Sequence, residues 1–394
     1  MTTPLEQLSP AEIGERLRIA RETAQVTQAA AAEAADMART TLVAIEKGQR
    51  RIRINELQRL AQCYGTSVNA LFRQEAIQVD LLPKFRRLPG SGEAGVADAA
   101  RLLTELARAE VELEDLLGIQ HPRNDPPRRP ILPGDVRAQA EQDALEVRQW
   151  LGLGLAPVGD IVSLLELQLG VRVFSCKLDP RISGLFAYED SVGACMMLNA
   201  NHRRERRAQT AAHELGHLVS MRGEPEVLLD GSPEQTREER YAAAFARGFL
   251  TPMRAVTQKF QEITAGSSRL TRRHVIVLAH VFGVSREALV RRLEELGLTR
   301  PGTWDWFQAH GGITDQQARE VLGDLASIES AGVGTDRPAS LRLGLMATEA
   351  WRRELLSEGQ LARLLHLDRV ALRALVDGFA EEQAEADGAL VLGN

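Results

Sequence analysis

Cysteine is scarce in this chain. Cys63, Cys176 and Cys195 stand far apart with no CxxC pair among them, which argues against a disulfide scaffold and suits a reducing compartment. Aromatic residues are only 4% of the total, while Ala, Leu and Arg abound, so helix is favoured over sheet. No stretch reaches the roughly 18 apolar residues that a membrane-spanning helix needs. The opening MTTPLEQLSP has neither the basic start nor the apolar run of a signal peptide. An excess of positive charge is missing too: the net charge is −6, which argues against a wholesale polyanion binder but leaves room for local basic patches. A cytoplasmic protein without a membrane partner is expected.

What is present reads as mostly α with one small β-sheet, an α+β chain of 394 residues, long enough for two or three domains. Ser9, Pro10 and Glu12 form a helix start: a capping serine, a first-turn proline and an acid three positions after the cap. Four or five short helices follow up to Phe72, giving a first domain over 1–75. Residues 76–135 read as a helix running from Asp98 to about Leu117, with PGSG at 89–92 as a turn. The Pro-rich HPRNDPPRRPILPG at 121–134 then reads as a flexible or extended joint. Over 136–300, helices alternate with three short strands at 171–176, 184–190 and 194–200. A helix over Arg204 to Ser220 comes next, then a polar loop and a helix opened by Ser232, Pro233 and Gln235 and stopped by Pro252. Residues 301–394 are expected to be helical, with capping boxes at Thr314/Gln317 and Ser357/Gln360 and with Trp304, Trp306 and Trp351 in the core.

The chemistry centres on HELGH. His213 and His217 lie four apart, so on a helix both imidazoles reach one ion. At about 100° per residue, Ala211, Ala212, Leu215, Leu218 and Val219 share one arc, and His213, Glu214 and His217 share the opposite one. That pattern predicts a greasy back and a polar front lining a cleft. Gly216 costs about 1 kcal/mol relative to Ala inside a helix, a cost that a close approach of neighbouring backbone explains. Zn²⁺, with Mn²⁺ as the alternative, needs a third protein ligand and an open position, and Glu239 is the donor singled out. Such a metal acidifies bound water; Glu214 would take the proton and later pass it to the leaving amine. The plain alternative is a solvated helix face that merely carries His and Glu.

RRAQTAAHELGHLV (206–219) followed by EERYAAAFARGFLTP (238–252) resembles the ImmA/IrrE metallopeptidases, over about residues 136 to 298. Thr210, Ala212, His213, Glu214, Gly216 and His217 agree with the family's first motif. Glu239, Ala242, Phe245, Ala246 and Pro252 agree with its second, which makes Glu239 the family's third metal ligand. Ala208, Gln209, Ala243 and Phe249 depart from it. The resemblance implies a zincin-like domain that cuts a helix-turn-helix repressor, relieving repression after stress, and a substrate strand added to the sheet edge. His202, Tyr188, Tyr241 and His280 are the candidates for a transition-state stabiliser.

Residues 27–72 resemble the XRE-type helix-turn-helix, here within a five-helix domain. The resemblance implies double-stranded DNA as a partner, with Gln28 on phosphate and Arg39, Thr40 and Thr41 opening the recognition helix. Lys47, Arg50, Arg51 and Arg53 would make phosphate contacts, and a homodimer would match a two-fold operator. The bland alternative is a helical interaction module with a solvated basic loop. Residues 357–379 suggest either a second helix-turn-helix or a two-helix packing unit. Two functions are therefore in play. One is a DNA-binding regulator whose zinc peptidase cleaves a repressor, a partner or itself, with 121–134 as an accessible place for self-cleavage. The other is a non-proteolytic regulator or antitoxin whose peptidase-like domain senses metal or a partner.

Overall fold

The first helix starts at the Ser9-Pro10 signal. In the computed structural model the Glu12 carboxylate accepts from the Ser9 backbone N–H at 2.8 Å, while the Ser9 hydroxyl accepts from the Glu12 N–H. The structure describes residues 9–24, 26–64, 68, 79, 81–85, 94–223, 225–229, 236–323 and 340–380, in two units, Met1–Gln78 and Val79–Asn394. Unit one holds α1 (Pro10–Thr23), α2 (Gln28–Ala34), α3 (Arg39–Glu46) and α4 (Ile54–Cys63). Thr27 caps α2, and Asp36, at φ 54°, makes the tight break before α3. Leu17, Ala31, Leu42, Ile45, Leu57 and Leu60 close the core. The expected fifth helix falls beyond Tyr64, outside the described residues.

Unit two contains, in chain order, α5 (Ala94–Leu117), α6 (Val136–Trp150), α7 (Ile161–Leu169), β1 (Arg172–Cys176), β2 (Ile182–Glu189), β3 (Gly193–Asn199), α8 (Arg204–Ser220), β4 (Glu226–Leu229) and α9 (Arg237–Leu250). Then come α10 (Met253–Ile263), α11 (Arg272–Phe282), α12 (Arg286–Glu295), α13 (Thr303–Ala309), α14 (Asp315–Leu322), α15 (Leu341–Arg352), α16 (Glu358–Leu364) and α17 (Arg369–Ala380). The sheet order is β1-β3-β2-β4, with β1 parallel to β3 and β2 antiparallel to both β3 and β4. Side chains alternate between two cores, as period-two geometry requires. Val173, Phe186, Met196 and Leu198 join the core of α6 to α14, whereas Phe174, Leu185, Cys195 and Met197 join that of α5 and α15 to α17. Helices cover both faces, which is why these strands read as continuous apolar runs.

Several expectations change. The stretch after α8, expected as a polar loop, contains the edge strand β4. Ser232 to Gln235, expected to open α9, lie outside the described residues, as does PGSG at 89–92; α9 is capped instead by Thr236. Of the two readings of residues 121–134, flexible or extended, the extended one holds, and the segment is a fastened strap. Asn124 N–H donates to Leu169 O at 3.2 Å and Arg129 N–H to Val219 O at 2.9 Å, and Arg237 donates to Gly134 O at 2.9 Å. Trp304 is buried, but Trp306 and Trp351 are exposed. The two helices at 357–379 bury Leu361, Leu365, Leu372 and Val376 in the second core, as a packing unit does. No helix among the described residues is long and apolar enough to cross a membrane.

Candidate metal centre and nucleic-acid interface

Helix α8 carries His213, Glu214 and His217 through the middle of unit two. Its back is buried as its periodicity requires: Ala211, Ala212, Leu215, Leu218 and Val219 are all fully enclosed. Its front is not a solvated wall. His213 is 6% exposed, His217 3% and Glu214 0%, because α9 closes over them. Gly216 permits the closure: a Cβ there would lie 3.0 Å from Ala242 Cα and 3.3 Å from Phe245 Cβ. On the sheet side, a Cβ on Gly184 would meet Thr210 Cγ2 at 2.7 Å. A Cβ at position 184 would force a shift, and one at 216 would press on α9, which would have to give by a few tenths of an ångström.

Helix α9 delivers the third group from its first turn, where the Glu239 N–H donates to Thr236 Oγ1 at 3.1 Å. The Glu239 carboxylate lies 3.2 Å from His213 Nε2 and 3.4 Å from His217 Nε2, and the two Nε2 atoms are 3.1 Å apart. Burial pushes the Glu239 carboxyl up, but hydrogen bonding to His213 and His217 outweighs it and holds the group well below the usual carboxylate range. Metal–ligand bonds of about 2.0–2.1 Å in a tetrahedral site place the ligand atoms about 3.3 Å apart, so the donor set and its spacing fit a divalent cation. A second cluster, Glu110, Glu114 and His121, is similarly compact but differs in chemistry. Arg172 donates to Glu110 at 2.7 Å and to Glu114 at 2.8 Å, and Arg342 donates to both. Its carboxylates already hold cations, which makes it an ion-pair node.

The candidates for a transition-state stabiliser divide. Tyr241 donates its buried hydroxyl to Asp143 at 2.8 Å. Tyr188 donates to Asp125 at 3.0 Å and accepts from Arg123 at 2.6 Å. Both are committed to structure. His202 and His280 instead line a cavity at the N-terminal end of α8. Phe249, a departure from the family motif, stacks on Phe245 with centroids 5.8 Å apart and lies under the Arg148 guanidinium.

In unit one Arg39 and Thr40 are exposed at the start of α3 with Thr41 half-buried, and Lys47, Arg51 and Arg53 are exposed. Two of the residues expected at phosphate are half-buried and have partners within the domain. Gln28 donates to Glu46 at 2.9 Å, and Arg50 holds Glu56 at 2.9 Å. Pattern reading missed the Arg21–Glu46 ion pair at 2.6 Å, buried between α1 and α3. Its partners are 25 residues apart and belong to no local motif.

Residues 167–294 match the IrrE N-terminal-like domain of the peptidase M78 family, and residues 12–71 match a helix-turn-helix domain. No curated protein matches the chain. ComR from Streptococcus suis aligns over 97% of this chain and 97% of its own at 11% identity, with a TM-score of 0.16, a value that supports no shared arrangement.

Proposed function

From a chain that joins a helix-turn-helix domain to an IrrE N-terminal-like domain, we propose a DNA-binding regulator with a zinc-dependent peptidase that cleaves a repressor-type protein. The observation carrying this reading is the convergence of His213, His217 and Glu239 within 3.1–3.4 Å of one another, beside the buried Glu214. These three side chains would hold Zn²⁺, or Mn²⁺ in its place. A bound cation supplies Lewis acidity, polarising the scissile carbonyl and acidifying the attacking water.

The remaining work falls to the chain. Glu214 takes the proton of the attacking water and returns it to the leaving amine. Its burial excludes competing solvent from the transfer. In unit one, Arg39, Thr40 and Thr41 face base edges, while Lys47 and Arg51 hold phosphates. Two copies on a two-fold operator would double that contact. The fastening of the strap at 121–134 favours a partner over self-cleavage there, since a cleaved segment must first leave its hydrogen bonds.

The test compares wild type with Glu214→Gln, each incubated with helix-turn-helix repressors and alone, with Zn²⁺ or Mn²⁺. Metal uptake by both and cleavage by wild type only is expected. Uptake by both without Glu214-dependent cleavage would favour the second reading, a regulator or antitoxin whose peptidase-like domain senses metal.

A further inference from the structure

The face of α8 that carries the two histidines does not stop at them. At about 100° per residue, Arg206, Gln209, His213 and His217 fall within an arc of about 80°. Arg206 and Gln209 line a cavity of about 730 Å³, within the range of about 300–1,000 Å³ typical of preformed ligand sites. The metal-binding side chains and the cavity therefore occupy successive turns of one helix face.

The cavity has two unlike walls. Ile276, Trp304, Ile313 and Leu322, from α11, α13, α14 and the turn before α14, make an apolar one. The other wall carries three arginines and three acids, and its charges are largely spent on each other. Arg203 donates to Asp315 at 2.8 Å and Arg286 to the same carboxylate, while Arg206 donates to Ser183 at 3.2 Å. With Glu205 and Glu287 completing the balance, the field selects no ion of either sign. One carboxylate oxygen of Glu205 is enclosed, so it is the other oxygen of this lining residue that can accept a hydrogen bond from an occupant of the cavity. A neutral wall that accepts hydrogen bonds, facing an apolar wall, matches a polypeptide segment with its backbone N–H and a large apolar side chain.

We infer that this cavity is a subsite for the polypeptide cut at the metal centre, seating a large apolar side chain against Trp304 while a backbone N–H reaches Glu205. The inference rests on the peptidase reading. Gln209 lies about 6 Å and Glu205 about 12 Å from His213 along the helix axis. An extended chain advances about 3.3 Å per residue. The seated residue is thus roughly two to four positions from the scissile bond, beyond the reach of the groups that do the chemistry.

The test uses the full-length Zn²⁺-loaded Glu214→Gln protein and fluorescein-labelled alanine octapeptides carrying one Phe or one Asp at successive positions. Anisotropy titrations are expected to give at least tenfold tighter binding for the best Phe peptide than for its Asp counterpart. Ala288→Trp, at an exposed residue of the cavity wall, should abolish that preference, and Glu205→Ala should weaken the Phe peptides severalfold. Equal affinity for Phe and Asp peptides, or a preference untouched by both substitutions, overturns the inference. Digestion of the same peptides by wild type separates the two readings. Glu214-dependent cleavage without a Phe preference sinks the subsite alone. Cavity-dependent binding without cleavage sinks the peptidase, and the subsite role with it.

Discussion

Glu214 and Glu239 are carboxylates on adjacent helices with different duties. Glu239 touches both imidazoles, so Glu239→Ala is expected to lower metal affinity at least tenfold, measured by metal analysis after dialysis. Glu214→Gln keeps all three ligand side chains and should bind metal normally while losing about 10²–10⁴-fold in cleavage rate, read from peptide turnover. On the DNA side, Thr40→Ala with Thr41→Ala should weaken a specific operator more than random DNA. Arg51→Ala should weaken both alike and reduce the salt slope by about one. Equal loss on both DNAs for the threonine pair would remove it from base reading. At this scale the sequence was legible wherever function follows local spacing: His213 and His217 are one turn apart, and Glu239 sits in a recognisable second motif. It was silent on Gln28 turning to Glu46 and Arg50 to Glu56, because an exposed amide or guanidinium chooses its partner only once helices have packed.

Among the elements, the α8–α9 crossing matters most for the centre. Any side chain at position 216 enters the space of Ala242 and Phe245, so α9 would have to move and carry Glu239 away from the histidines. Gly216→Leu is expected to cost about 1–3 kcal/mol by overpacking and to weaken metal binding too. Thermal unfolding with and without Zn²⁺ measures both; unchanged metal affinity would show that Glu239 is placed by something other than this contact. Helix starts followed capping chemistry at Ser9, Thr314 and Ser357, whose expected boxes are all formed, but not at Asp98, which lies inside α5 because that helix already begins at Ala94. Strand β4 escaped because four residues show no alternation and depend on pairing with β2. The fastening of the extended segment at 121–134 escaped for a related reason. Proline richness tells of missing regular structure, whereas fastening comes from Arg222 and Arg237, about a hundred residues away.

For unit two as a whole, the second face of the sheet is covered by α5, and helices that the chain reaches only after residue 340 pack onto α5 to complete that core; what ties them down is electrostatic as well as apolar. Arg342 donates its backbone N–H to Glu166 at 2.8 Å and its guanidinium to Glu110 at 2.9 Å and to Glu114. Arg172, from β1, occupies the same two carboxylates. Burial pushes the Glu114 carboxyl up, but His121, Arg172 and Arg342 together hold it well below the usual carboxylate range. A carboxyl depressed in the folded state adds stability above its unfolded pKa and loses it as pH falls, so Glu114 contributes at neutral pH and fails in acid. Glu110 runs the other way, its carboxyl raised by burial, which makes the shared guanidinium of Arg342 more consequential. Arg342→Met keeps much of the apolar stem but leaves two buried acids to one arginine, a change expected to cost about 3–5 kcal/mol. The loss should appear first as detachment of α15 to α17. Limited proteolysis near neutral pH should then cut within 340–380 in the variant while the wild type resists, and lowering the pH should narrow the difference as Glu114 protonates in both. Equal resistance of the two proteins would mean that Leu343, Met346 and Ala347, buried in the second core, hold these helices without help from charge.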